Sequence, residues 1–318
     1  QYLLELKSFE LISLFLGNAE IEVDGEITGS LFAAGDTTIL FLDTEINQMK
    51  YWDGLELYYL SDFDFSMRMD NSSLTDSFEG FLAEMNVNAK RIFVGSEISD
   101  LNFDFNFDGN EAQIDLNAVY ETDTKFDLEG SLFINDGFVD VIFDKLFFKY
   151  YEFDLLNSDN IKFSYSNDNI NFDSFTLVHN GGSIDLGGQL SFTGYEDLTL
   201  RLNNFKLNDL NANLLGLPPE KSIDGELNLD FVMTGTAEKP VMNLTYSVDS
   251  IKMQNLYLGS IESEIQYSEK ILNVDLSFLE TKNAQSRNSF GIKGTLPIDL
   301  AFYSKERLPA GETVDMTL

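Results

Sequence analysis

Strict alternation of apolar and polar residues is the feature of this sequence that most restricts its fold. Between residues 102 and 108, Phe103, Phe105 and Phe107 alternate with Asn and Asp. The same period of two recurs at residues 114–120, 161–165, 198–202, 227–233 and 274–278. Because successive side chains of a strand point to opposite faces, each segment predicts a strand with one apolar and one polar face. We therefore predict an all-β fold.

Turn-forming residues separate many of these segments. Tight turns are predicted at Asp108-Gly109-Asn110, Asn135-Asp136-Gly137, Asn180-Gly181-Gly182 and Asp224-Gly225. Helical periodicity is limited to two short stretches, at about residues 2–17 and 207–217. Two short helices can cap a sheet of this length, but they cannot cover its apolar face.

The sequence contains an internal repeat. Residues 23–27 (Val-Asp-Gly-Glu-Ile) recur as residues 223–227 (Ile-Asp-Gly-Glu-Leu), and each copy follows a predicted helix. Residues 128–132 (Leu-Glu-Gly-Ser-Leu) likewise parallel residues 292–296 (Ile-Lys-Gly-Thr-Leu). Two such copies favour an elongated, repetitive sheet over a closed barrel. We predict two β repeats, with the boundary after residue 157.

Composition excludes several functions. The chain has 54 Asp and Glu against 20 Lys and Arg, so its formal net charge of −34 predicts that it does not bind nucleic acid. It has no Cys, which rules out disulfides, thiolate metal sites and Cys nucleophiles. No apolar run approaches the roughly 20 residues of a membrane helix. The chain begins at Gln1 without a visible signal peptide, and we expect a processed chain or an excised segment.

No catalytic or metal-binding motif stands out. His179 is the only histidine, and the Asn-Gly-Gly that follows it predicts an exposed turn. No nucleophile elbow or zinc motif accompanies it. Residues 104–115 have the spacing of a calcium-binding EF-hand loop, but the alternating Phe residues favour a hairpin there. We therefore predict that the protein is not an enzyme and holds no cofactor or metal.

The order of strand motifs at residues 207–302 is more specific. A Leu-rich helix precedes the run Ile-Asp-Gly-Glu-Leu-Asn-Leu-Asp-Phe-Val-Met-Thr-Gly-Thr-Ala-Glu-Lys-Pro at residues 223–240. The region closes with Phe-Gly-Ile-Lys-Gly-Thr-Leu-Pro-Ile-Asp-Leu at residues 290–300. This order resembles the C-terminal region of TamB and its AsmA-like relatives, in which G-x-L-x-L, G-T-x-x-x-P and G-x-L-P recur on strands. The strong acidity of this chain departs from the family.

The resemblance implies a β-taco, a sheet folded lengthwise into an open groove with an apolar interior. It also implies a periplasmic segment of a larger membrane-anchored envelope protein, whose groove carries phospholipid acyl chains between the inner and outer membranes. We expect the two repeats to form one continuous groove. Its predicted lining residues are Phe103, Phe105, Phe107, Leu116, Phe163, Leu200, Leu227, Leu229, Phe231, Ile265, Tyr267, Val274, Leu276 and Phe278.

Other interpretations of the alternating faces remain open. The family also implies a scaffold that assembles outer-membrane β-barrel proteins, which would be the partners of open strand edges. The acidity is compatible with a structural or adhesin β-array. A β-sandwich would use the same alternation, because its two apolar faces pack against each other.

Overall fold

The computed structural model describes residues 2–6, 21–52, 54–71, 80–135, 137–209, 223–253, 256–282, 285–301 and 315–317. Nearly all of these residues belong to antiparallel strands, which confirms the all-β prediction. The chain divides into two compact units, unit 1 at Gln1–Tyr151 and unit 2 at Glu152–Leu318. The sequence placed this boundary after residue 157.

Unit 1 is an antiparallel meander in which each strand pairs with the next one along the chain. Its strands are β1 (Tyr2–Leu6), β2 (Ile21–Ala34), β3 (Thr37–Trp52), β4 (Leu57–Asp70), β5 (Leu82–Val94), β6 (Ser96–Asp108), β7 (Glu111–Tyr120), β8 (Thr124–Asn135) and β9 (Phe138–Tyr150). The β6–β7 and β8–β9 turns lie where Gly109 and Gly137 predicted them.

Unit 2 begins with four short strands, β10 (Phe153–Asn157), β11 (Ile161–Ser166), β12 (Asn169–Ser174) and β13 (Thr176–His179). Both β12 and β13 pair with β14, and they in turn pair with β11 and β10. A meander follows in β14 (Gly182–Ser191), β15 (Tyr195–Lys206), β16 (Ile223–Thr236), β17 (Lys239–Met253), β18 (Leu256–Ser268), β19 (Ile271–Lys282), β20 (Gln285–Pro297) and β21 (Asp315–Thr317).

One of the two helix predictions was wrong in its first residues. Residues 2–6 form strand β1, which pairs with residues 27–31 of β2. Pairing with a neighbouring strand here outweighs the local helical periodicity. Residues 7–17 of that prediction lie outside the described residues. The second helix begins at Leu207 as predicted, and residues 210–217 are again outside the described part.

A line of backbone irregularities crosses unit 1 near one end of its strands. The β2–β3 register shifts between Asp24 and Gly25. Asp62 on β4 and Asp100 on β6 lie at the same level of the sheet as this shift, and their φ angles are 45° and 49°. Such bulges bend a strand and increase its twist. Ile46, Leu60 and Ala89 are buried together beside the bend. Because side chains on the inner side of a bend converge, we infer that the apolar face lies inside it.

Unit 2 has a corresponding bend. The irregular positions are Asn204, Gly225, Ser250 and Gly259, which lie on the four neighbouring strands β15 to β18. Phe205, Val248 and Ile251 are buried next to them. The prediction of a turn at Asp224-Gly225 was therefore wrong, because both residues lie within β16 at a bulge. The repeated Asp-Gly-Glu sequence marks the bend in both units.

Substitution of Gly25 tests whether the glycine of the repeated Asp-Gly-Glu sequence is required at the bend. A Cβ atom at Gly25 would lie 2.2 Å from the carbonyl oxygen of Glu45 and 2.7 Å from the Cα of Ile46. Both are backbone atoms that cannot move aside without breaking the β2–β3 pairing. We expect Gly25→Ala to lower the free energy of unfolding by about 2 kcal/mol or more, measured by urea denaturation. Gly187→Ala is the control, since no atom lies within 4 Å of its added Cβ, and equal losses would contradict the explanation.

Candidate functional site

The apolar face of unit 1 is built from side chains that lie opposite one another on successive strands. One row runs through Leu42, Met67, Met85, Phe105 and Ile114, and the next through Phe65, Val87, Phe103, Leu116, Leu128 and Leu146. Residues paired across an antiparallel ladder share one face of the sheet. The rows therefore form a continuous apolar surface across β3 to β9.

The apolar face of unit 2 has the same construction. Its rows are Leu186, Leu200, Phe231, Leu244, Ile265 and Val274; Leu202, Leu229, Tyr246, Ser263, Leu276 and Ile292; and Phe205, Leu227, Val248, Ile261, Phe278 and Phe290. Ser263 interrupts the second row with a buried hydroxyl that has no hydrogen-bond partner among the described residues. The remaining members of these rows are apolar or aromatic.

All fourteen residues predicted to line a groove lie on these two faces, four in unit 1 and ten in unit 2. The register brings several together: Phe103 faces Leu116, Leu200 faces Phe231, and Ile265 faces Val274. Phe163, on β11, contacts Phe172, with 6.1 Å between ring centroids. Contact of these side chains with lipid stays a prediction.

Burial divides the predicted lining residues. Phe107 and Tyr267 are buried, and the other twelve are only half-buried. Tyr267 is covered by the segment after β20: its hydroxyl oxygen accepts a hydrogen bond from the Leu300 N–H at 2.9 Å. An ion pair of 3.1 Å between Lys270 and Asp299 holds the same segment. Tyr267 therefore belongs to the covered end of the face rather than to its half-buried middle.

The opposite face of unit 1 is polar and mainly acidic. One row runs through Asn86, Asp104, Asp115, Glu129 and Lys145. Desolvation by burial, with the facing carboxylates of Glu129 and Asp104, raises the pKa of Asp115 above its usual value. Hydrogen bonds to Asp127 and Glu129, at 2.6 and 3.2 Å, raise the pKa of Lys145. One lysine thus offsets part of the repulsion among several carboxylates.

Asp115 gives a test of this repulsion. Since its pKa is raised in the folded protein, its charged form destabilises the fold at neutral pH. Asp115→Asn should therefore raise the free energy of unfolding at pH 7, by about 0.5 kcal/mol because solvent screens exposed charges. The gain should vanish as the pH falls through the raised pKa and the native carboxyl becomes neutral.

Urea denaturation at several pH values measures this difference, and high salt is the control because it screens the repulsion. A gain that persists at acid pH would show that the effect does not depend on the charge of Asp115. A gain that persists in high salt at pH 7 would assign it to desolvation of the carboxylate, which salt does not screen, rather than to repulsion.

A depression of about 510 Å³ lies on the polar face of unit 2. Its lining includes Arg201, Asp230, Glu264 and Asp275, and an ion pair of 3.3 Å joins the first two. The depression is open to water and is lined mainly by charged groups, amides and hydroxyls, together with Leu202, Leu229 and Tyr246. Because burying such groups against hydrocarbon is costly, the depression is unsuited to acyl chains.

The prediction that His179 lies in an exposed turn was wrong. It ends β13 and is 3% exposed. Its Nδ1 lies 2.8 Å from a carboxylate oxygen of Asp154, and its Nε2 lies 3.3 Å from one of Asp209. The rings of Phe153 and Phe205 pack against the imidazole, with centroids at 4.4 and 6.4 Å. The sequence itself indicated this burial. His179 lies two residues after Leu177 on the same strand, so its side chain is on the same inward-facing side as that of Leu177.

His179 joins β10 to the helix that begins at Leu207, through its two carboxylate neighbours. We expect His179→Phe to lower the free energy of unfolding by about 2 kcal/mol, because Asp154 and Asp209 would then face a ring that cannot donate hydrogen bonds. Urea denaturation measures the loss. Adding Asp154→Asn and Asp209→Asn to His179→Phe should restore part of it, whereas a further loss of the same size would show that the carboxylates do not depend on the imidazole.

The remaining candidate sites of the sequence have structural explanations. Residues 104–115 form the β6–β7 hairpin as predicted. In the described parts of the chain, no group of three or more His, Asp or Glu side chains has the arrangement of a metal site. No helix within the described ranges is long and apolar enough to cross a bilayer.

Comparison with known proteins leaves the chain without an established relative. It matches no family model, and no curated protein or solved structure is significantly similar to it. The resemblance to TamB and AsmA-like proteins therefore rests on the order of the strand motifs.

Proposed function

We propose that the apolar faces of the two units carry the acyl chains of phospholipid. In this proposal the chain is a periplasmic segment of a larger TamB-like envelope protein, and the lipid passes between the inner and outer membranes. The observation that carries the proposal is the incomplete burial of the apolar faces. Twelve of the fourteen predicted lining residues remain half-buried, although all of these except Phe163 are aligned in the rows described above.

Incomplete burial argues against the sandwich alternative. In a β-sandwich, the side chains of the two inner faces interdigitate and form a close-packed core. Here Phe231, Leu276 and their neighbours keep part of their surface open to solvent. Large contiguous apolar surfaces on soluble proteins are typically binding sites. An occupant that is itself apolar and flexible fits rows whose side chains stay partly accessible.

The energetics favour an acyl chain as that occupant. A phospholipid with two long tails has about 30 methylene groups, and exposing them to water costs roughly 25 kcal/mol at about 0.8 kcal/mol each. A continuous apolar face removes much of this cost, while the headgroup stays in water. The acidic residues on the opposite faces keep such a protein soluble.

Phe231 gives the most direct test, because it lies in the middle of the apolar face of unit 2 between Leu200 and Leu244. Phe231→Asp places a charge where the acyl chain would lie and should lower lipid binding at least about tenfold. Binding is measured by titrating a fluorescent fatty acid and by mass spectrometry of co-purified phospholipid. The control is Val232→Asp, the same substitution at the adjacent position that points to the opposite face.

Equal binding by the two variants would contradict the proposal, provided that circular dichroism shows both to be folded. A native protein that takes up neither the fatty acid nor phospholipid would do so as well.

A scaffold for outer-membrane β-barrel proteins is the second candidate function, and the strand edges favour it. Of β2, only residues 27–31 are covered by β1, and of β20, only residues 293–295 are covered by β21, within the described part of the chain. Uncovered edges can pair with a strand of another protein. Photo-crosslinkers placed along β2 and β20 test this function: adducts with unfolded barrel proteins support it, and none across a full scan would exclude it.

A further inference from the structure

A single serine interrupts the apolar face of unit 2. Ser263 lies on β18 between Ile261 and Ile265, which share its face of the sheet, and it is 7% exposed. Its hydroxyl has no hydrogen-bond partner among the described residues. Most buried hydroxyls in proteins are paired, because a polar group that loses its hydrogen bonds to water without replacing them destabilises the fold. The unpaired hydroxyl of Ser263 therefore needs an explanation of its own.

The construction of the face does not require a serine at this position. In unit 1, the row that runs from Phe65 to Leu146 contains only apolar side chains. The two rows beside that of Ser263 in unit 2 are apolar throughout as well. An alanine or a valine would fit the same alternation without burying an unpaired hydroxyl. The hydroxyl thus indicates a partner that the described part of the chain does not supply.

Half-buried side chains surround this hydroxyl. Tyr246 on β17 and Leu276 on β19 lie directly opposite Ser263. Both keep part of their surface accessible, as do Ile261 and Ile265 on the same strand. Because serine is much shorter than these neighbours, its hydroxyl lies below the level of their side chains. A ligand on the apolar face can reach the hydroxyl when one of these side chains changes rotamer, which is a common adjustment on binding.

The surroundings restrict the kind of group that the hydroxyl can bind. A hydrocarbon alone would leave Ser263 unpaired. An ionised carboxylate would be buried among rows that contain no Lys or Arg, which is unfavourable. A peptide strand would bring a donor and an acceptor with every residue, whereas Ser263 and Tyr246 carry the only side-chain hydroxyls of this row. A neutral acceptor joined directly to an apolar chain meets all of these conditions.

We propose that the Ser263 hydroxyl donates a hydrogen bond to the ester carbonyl oxygen of a glycerolipid whose acyl chain lies on the apolar face of unit 2. This inference rests on the proposed function, and it specifies the ligand as a glycerol ester rather than a free fatty acid or a hydrocarbon. The ester joins the acyl chain to the headgroup. With the ester at Ser263, the chain covers the half-buried side chains beside it, and the headgroup stays in water.

Ether lipids give a matched test, because an alkyl ether lacks the carbonyl oxygen but keeps the chains and the headgroup. Binding is measured by displacing the fluorescent fatty acid with a short-chain diacyl phosphatidylcholine and with its dialkyl ether analogue. We expect the native protein to bind the diacyl lipid about fivefold more tightly, which is the effect of one hydrogen bond. Ser263→Ala should bind both lipids with the affinity that the native protein has for the ether. The fatty acid should bind this variant as it binds the native protein, because its carboxylate stays in water.

Ser247→Ala is the control variant. Ser247 lies on the neighbouring strand β17 and faces the polar side, where its hydroxyl is 3.5 Å from a carboxylate oxygen of Asp249. This variant should keep the full preference for the diacyl lipid. Urea denaturation without lipid is a second measurement. Ser263→Ala should be at least as stable as the native protein, because the substitution removes a buried hydroxyl that has no partner.

The ester site and the proposed function fail in different ways in these measurements. Equal affinities of the native protein for the two lipids, or a diacyl preference that survives in Ser263→Ala, would overturn the ester site and leave the proposed function standing. A loss of stability in lipid-free Ser263→Ala would do the same, because it would show that an ordered water already satisfies the hydroxyl. A native protein that binds neither lipid nor the fatty acid would overturn the proposed function and the ester site with it.

Discussion

The antiparallel register is the constraint on which the rest of the structure depends. Each hydrogen-bonded pair of strands fixes which side chains are opposite, and because side chains alternate, a slip of one residue would exchange the two faces of a strand. The observed register aligns Phe105 with Met85 and Ile114, and Phe231 with Leu200 and Leu244. Short apolar segments become a surface only through this alignment, and the acidic residues are collected on the other face by the same pairing.

The bulges change what that surface can do. A flat sheet with one apolar face would leave it open to water along the whole strand. Here the strands bend near one end, and Ile46, Leu60 and Ala89 in unit 1 bury one another inside the bend. Beyond it the apolar side chains remain half-buried, while the turns carry Trp52 and its exposed neighbours. The bend thus separates a small packed core from two apolar surfaces of different character.

Local patterns predicted much of the candidate site, because a strand with period two determines its own faces. The fourteen residues predicted to line a groove all lie on the apolar faces, as their alternation along the strands indicated. The errors arose where distant residues decide the outcome. Residues 2–6 pair with β2 instead of forming a helix, and Gly225 occupies a bulge instead of a turn. The environment of His179 depends on Asp154 and Asp209, which lie on elements distant in sequence.

The sequence by itself determined that the chain is built from strands with one apolar and one acidic face, that it contains two copies of a repeat, and which side chains share the apolar face. These properties follow from side-chain periodicity, which is local. Only the tertiary structure decided where the strands bend, which apolar residues are buried and which stay accessible, and that the lone histidine lies between two carboxylates. Burial depends on the register between strands and on the bulges in it, and no single segment of the sequence contains that information.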